Sequence, residues 1–161
     1  MFAPVGSAAP AGEFDWPLRP RPAVVRAFDA PERDWLPGHR GVDLAGRAGQ
    51  AVLAAGDGTV AFAGTVAGKP VLSIDHTGGL RTTYEPVRPG VPVGRRVFRG
   101  STIGALEAGH AGCPVAACLH WGLRRDRVYL NPLGLLRAVQ VRLKPLANPR
   151  RHHRRETRMG V

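Results

Sequence analysis

"KPVLSIDHTGGLRTTY", residues 69–84, decides how this chain is built. Two runs rich in apolar and β-branched residues flank a segment that ends in Gly78-Gly79. A glycine pair supplies the positive φ angles that a tight link between antiparallel strands needs. The stretch therefore reads as two strands of a β-hairpin.

The same grammar extends in both directions. Upstream, "AVLAAGDGTVAFAG" (51–64) reads as two strands around an Asp57-Gly58 turn. Downstream, "GVPVGRRVFRGSTIGALEAG" (90–109) spaces its valines and isoleucine with Gly94, Gly100 and Gly104, which predicts a strand, a tight turn and another strand. In "CLHWGLRR" (118–125) strand alternation places Leu119, Trp121 and Leu123 on one face and Cys118, His120 and Gly122 on the other. Only "NPLGLLRAV" (131–139) looks like a helix start, with Asn131 as cap and Pro132 at the first position.

Composition agrees. The 161 residues are 43% hydrophobic, enough for one domain with a core, while 21 glycines and 15 prolines argue for short strands and turns over a helical bundle. The expectation is a mainly β domain over 14–146, a twisted antiparallel sheet, between a disordered lead (1–13) and a basic disordered tail (147–161). No run approaches the roughly 18–20 apolar residues that span a bilayer.

The net charge of +11 suggests a polyanion partner. All but two of the 23 basic residues are arginine, however, which together with the abundant Ala, Gly and Pro fits the codon bias of a GC-rich genome. Part of the excess lies in "NPRRHHRRETRMGV" (148–161), read either as a solvated tail or as an anchor on anionic envelope polymers, with no specific nucleic acid implied. The two cysteines, Cys113 and Cys118, stand five apart with none elsewhere, which suggests a disulfide-closed loop and an oxidising compartment. The segment "SAAPAG" (7–12) resembles the small-residue region around a signal cleavage site, so a secreted or cell-envelope location is expected.

Chemistry first surfaces in "GHRGVDLAG" (38–46), where His39 and Asp43 stand four apart among glycines. They are either turn residues or two ligands of one metal. His120, on the polar face of its strand, is placed to complete such a site. Two imidazoles and a carboxylate would leave a fourth zinc position open, the arrangement of a catalytic centre.

The order of these elements resembles the lysostaphin-type zinc metallopeptidases, a family of cell-wall endopeptidases. The resemblance runs from about Phe14 to Leu136 and rests on His39-x-x-x-Asp43, the "DGTV" turn (57–60), the "DHTGGLRTTY" hairpin (75–84) and the strand carrying His120. It implies a duplicated-hybrid-motif β fold with one groove, Zn2+ held by His39, Asp43 and His120, and hydrolysis of peptide cross-links in peptidoglycan.

Three departures stand out. The family's last strand normally reads His-x-His, and Cys118 occupies the first of those positions. The family's other catalytic histidine follows the hairpin tyrosine by two residues, where this chain has Pro86; Gly122 stands where an acid is usual. Alternation predicts that Glu85, beside Pro86, points to the opposite face. His110 is the candidate catalytic substitute, folded over the zinc by a loop pinned through Cys113–Cys118, or else an exposed loop histidine. Cys118 itself reads as a disulfide partner, a thiolate zinc ligand or a free thiol. His76 reads as a turn or groove-edge residue and not as a ligand, while Trp16, Trp35 and Trp121 are candidates for core or groove wall. Three functions follow: a peptidoglycan metalloendopeptidase, a catalytically weak zinc module that binds wall peptides or regulates a partner hydrolase, or a polyanion-binding protein.

Overall fold

Eleven short strands, joined by turns and loops, build the chain between residues 13 and 136, the part the computed structural model describes. In order they are β1 (Val24–Arg26), β2 (Gly41–Gly46), β3 (Ala51–Leu53), β4 (Gly58–Val66), β5 (Lys69–Asp75), β6 (Leu80–Glu85), β7 (Val87–Pro89), β8 (Arg96–Val97), β9 (Thr102–Leu106), β10 (Ala117–Arg125) and β11 (Val128–Leu130). An eight-stranded sheet runs β1-β2-β10-β6-β5-β4-β8, with β11 paired to the end of β10. A second sheet of three strands runs β3-β9-β7. Every pairing is antiparallel, so the mainly β expectation holds.

The hairpin that opened the sequence is β5–β6, with Leu72 opposite Tyr84 and Asp75 opposite Arg81. Its connection is a single 3-10 turn, Thr77–Gly79, with Gly78 and Gly79 both at positive φ as the glycine pair requires. A second hairpin, β4–β5, turns at Ala67-Gly68 between Val66 and Lys69.

Two other readings change. The strands on either side of Asp57-Gly58 form, but β3 belongs to the small sheet and β4 to the large one, so the turn carries the chain between layers. Asp57 Oδ1 accepts the backbone N–H of Arg99 at 2.8 Å, and a Cβ at Gly58 would lie 2.3 Å from Asp75 O. Likewise β8 and β9, predicted around a tight turn, lie in different sheets.

Between the layers sits the core. Leu119, Trp121 and Leu123 of β10 pack inward with Val42, Leu44, Leu72, Ile74 and Tyr84 of the large sheet, against Val52, Val87, Ile103 and Leu106 of the small one. The predicted alternation of β10 is realised: Trp121 is fully buried, and its neighbour His120 faces the other way. After β11, Asn131 caps a short 3-10 helix, Pro132–Leu136, by accepting the N–H of Leu133 at 3.0 Å. The basic tail (147–161), the last part of the expected domain (137–146) and all but residue 13 of the lead (1–13) lie outside the described residues. Among the described residues, no helix is long and apolar enough to cross a membrane.

Candidate metal centre

The outer face of the large sheet carries the three residues predicted as ligands. Asp43 on β2 and His120 on β10 are direct cross-strand partners, so their side chains leave the sheet on one side. His39 enters from just before β2, where it forms an isolated bridge with Asp29 through two backbone hydrogen bonds of 2.7 and 2.9 Å. Its Nδ1–H donates to the carbonyl of Ala27 at 2.7 Å, which fixes the ring and turns Nε2 towards Asp43.

Three atoms then converge. His39 Nε2 lies 3.0 Å from Asp43 Oδ1 and 3.2 Å from His120 Nδ1, and His120 Nδ1 lies 2.9 Å from Asp43 Oδ1. Gly41 makes this approach possible: a Cβ there would sit 2.5 Å from Trp121 O and 2.7 Å from His120 Nε2. Glycine at that position of "GHRGVDLAG" is thus a packing requirement of the histidine across the ladder.

The donor set suits a small divalent cation. Bonds of about 2.0–2.2 Å to imidazole nitrogen and carboxylate oxygen imply tetrahedral edges of about 3.3–3.6 Å. The observed separations are a few tenths of an ångström shorter. Asp43 and His39 are buried and His120 half-buried, so the cluster opens to solvent on the His120 side. Burial raises the Asp43 pKa, but the hydrogen bond from His120 and the charges of His110, His120 and His39 outweigh it and hold the carboxyl at about 2. The carboxylate is therefore fully ionised at neutral pH, as a ligand must be.

His110 also reaches this place. Its Nε2 lies 3.1 Å from Asp43 Oδ2, the oxygen that the other two histidines leave free. The ring is tilted 30° to that of His120 with centroids 5.7 Å apart. The side chain is only 9% exposed, yet neither nitrogen has a well-angled hydrogen-bond partner among the described residues. Cys113 and Cys118 are joined by a disulfide, so the thiolate-ligand and free-thiol readings of Cys118 fall away. The bridge ties the loop bearing His110 to β10, two residues before His120.

Contrary to expectation, Glu85 does not point away from the groove. Alternation continues to the end of β6, so Glu85 faces the opposite way from Pro86, but Pro86 is the buried one. Glu85 is the direct cross-strand partner of His120 and lines the same groove. Trp35, proposed for core or cleft, is 74% exposed and lies under the Arg33 guanidinium; Trp16 packs at the core margin. His76 is neither ligand nor groove residue. It belongs to a buried chain in which Ala55 N–H donates to Tyr84 OH, Tyr84 to Thr82 Oγ1, Thr82 to His76 Nε2, and His76 Nδ1–H to Asp57 O. Burial pushes the Tyr84 phenol up to about 12 and the His76 imidazole down.

From His120 a groove of about 390 Å³ runs over β6, β5 and the end of β10, bordered by Arg40, Tyr129 and Phe62. These border residues escaped sequence reasoning, since only strand register brings them together. A larger cavity, about 560 Å³, lies beside His76, Asp57 and Arg96 and includes none of the cluster.

Comparison with known proteins agrees with this geometry. The chain matches peptidase family M23 over residues 37–132. It is 57% identical over 157 residues to the uncharacterized protein Rv2891 of Mycobacterium tuberculosis, covering 91% of this chain and 63% of that relative's length. Csd3 of Helicobacter pylori is similar in structure, with 28% identity and a TM-score of 0.63 over 78% of this chain and 35% of that one. Lysostaphin of Staphylococcus simulans has the same fold, at 21% identity and a TM-score of 0.63 over 79% of this chain and 55% of that one. With the family matched across the cluster and the fold shared with lysostaphin, the chain belongs to peptidase family M23.

Proposed function

We propose that this protein is a zinc metalloendopeptidase of the bacterial cell envelope that hydrolyses peptide cross-links of peptidoglycan. The observation that carries this reading is the convergence of His39 Nε2, Asp43 Oδ1 and His120 Nδ1 within 3.2 Å of one another. When bound, zinc supplies a Lewis acid that polarises an amide carbonyl and acidifies water.

The chain's own residues supply the rest. Asp43 provides the negative charge of the site through Oδ1 and keeps Oδ2 turned to His110. His39 is locked by Ala27 O, so its Nε2 keeps one direction without reorganisation. His110 stands in for the histidines missing at Cys118 and Pro86, as a hydrogen-bonding and proton-carrying group beside the reacting amide. The Cys113–Cys118 bridge, which suits an oxidising compartment, holds it there.

A second reading has its own support. Cys118 is committed to a disulfide and Pro86 is buried, so neither family histidine position offers a proton-transfer group. A module that keeps zinc, binds wall peptides and regulates a partner hydrolase would need none. Incubating zinc-loaded protein with purified peptidoglycan and weighing the released fragments separates the two. New peptide termini that vanish with chelator and in His120→Ala are expected; binding with no released fragments would favour the second reading.

A further inference from the structure

The groove leading from the cluster is laid out in rows, each one pair of residues further along the strands. The first row holds His120 and Glu85, the second Gly122, Thr83 and Ser73, the third Arg124, Arg81 and Asp75. Cross-strand partners share a face, and residues two apart along a strand return to it. All three rows therefore lie on the floor that carries His120.

Their chemistry changes along the way. The first row is acidic and faces the metal cluster. The second is neutral and low: position 122 has no side chain, and a Cβ there would meet nothing closer than 3.6 Å. Room for a ligand backbone remains beside the hydroxyls of Thr83 and Ser73. The third row is cationic. Arg81 is occupied by Asp75 through hydrogen bonds of 2.5 and 2.9 Å. Arg124, directly opposite Arg81, makes no hydrogen bond or close ion pair among the described residues, although its charge is felt by the Asp75 carboxylate. One carboxylate beside two guanidinium groups leaves the row with a net positive charge. A further cation, Arg40, stacks over Tyr129 at 5.6 Å on the β11 side, its NH2 group held by the carbonyls of Asp34 and Leu36.

We infer that this groove is a subsite for an extended peptide bearing a carboxylate, with Arg124 as the residue that receives it. Arg124 lies four positions along β10 from His120, so the carboxylate sits about 13 Å from the bond held at the metal cluster, roughly four extended residues away. Guanidinium–carboxylate pairing is charge-assisted and directional, which makes Arg124 a specificity residue for acidic over neutral peptides. The location of the cleaved bond rests on the metallopeptidase reading; the carboxylate site does not.

Fluorescence anisotropy with the full chain tests this, using fluorescein-labelled hexaalanine as the free acid and as the C-terminal amide, with and without zinc. The acid should bind about 10-fold or more tightly than the amide, the preference shrinking as salt rises. Arg124→Gln should remove the preference while its thermal unfolding midpoint stays near that of the parent. Equal affinity for acid and amide, or a preference retained in Arg124→Gln, would overturn the subsite. Arg124-dependent acid binding without any cleavage of peptidoglycan upholds the subsite and removes the enzymatic reading, whereas cleavage without acid preference does the reverse.

Discussion

His120 and Asp43 face each other across the β2–β10 ladder, the imidazole Nδ1 2.9 Å from the carboxylate Oδ1. Seventy-seven residues apart in the chain, they are neighbours because two strands adopt one register. A slip by one residue would send either side chain into the core.

His120→Ala should therefore remove zinc binding with little cost to the fold. The ring is half-buried on the groove side, and replacing it leaves the inward face of β10 intact. The expected change in unfolding free energy is within about 0.5–1 kcal/mol. Zinc content of the purified variant by mass spectrometry, beside a thermal melt, checks both halves.

Gly41→Ala should impair the centre without touching a ligand. The added methyl would lie 2.7 Å from His120 Nε2 and 2.5 Å from a backbone oxygen, so the ring or the strand must shift. Zinc affinity should fall by about 10–100-fold, the scale seen when ligand support is lost. Competitive titration against a zinc-sensitive dye measures it, and unchanged affinity would mean that the ring is free to move.

Reducing the Cys113–Cys118 bridge should release His110. The bridge closes a short loop, worth about 2 kcal/mol on the chain-entropy model, so the melting temperature should drop modestly. Peptidoglycan hydrolysis should fall more steeply, towards the rate of His110→Ala, which is expected about 10²–10⁴-fold below the parent with zinc retained. Full activity in His110→Ala would eliminate its catalytic role.

Stability should decline in mild acid through His76. Its imidazole is held below the ordinary 6.5 chiefly by burial, partly offset by the hydrogen bond to Asp57. The unfolded chain thus takes up the proton first. The stabilisation is complete above about pH 6.5 and is lost as pH falls through the folded value. His76→Asn should be less stable than the parent at pH 7.5, with the gap narrowing towards pH 5.5 in thermal melts. A constant gap would show that the buried chain from Ala55 to Asp57 tolerates the imidazolium.

Local sequence determined a good deal of this protein. The Gly78-Gly79 pair specified the β5–β6 hairpin, and alternation in 118–125 oriented Trp121 inward and His120 outward, since both signals act over a few residues. His39, Asp43 and His120 were legible as a set because of their types and the family pattern around them. Tertiary structure decided the rest. Which sheet receives β3 or β4, and β8 or β9, depends on how two layers close over one core. Glu85 and Pro86 lie on opposite faces as alternation requires, but which of the two faces the groove was fixed only by the register of β6 against His120. Arg124 and Tyr129 are partners in the local β10–β11 hairpin, but Arg40 and Phe62 come from distant segments, and only long-range strand pairing, whose energy lies in the packed sheet and not in any one stretch, could line all four along one groove.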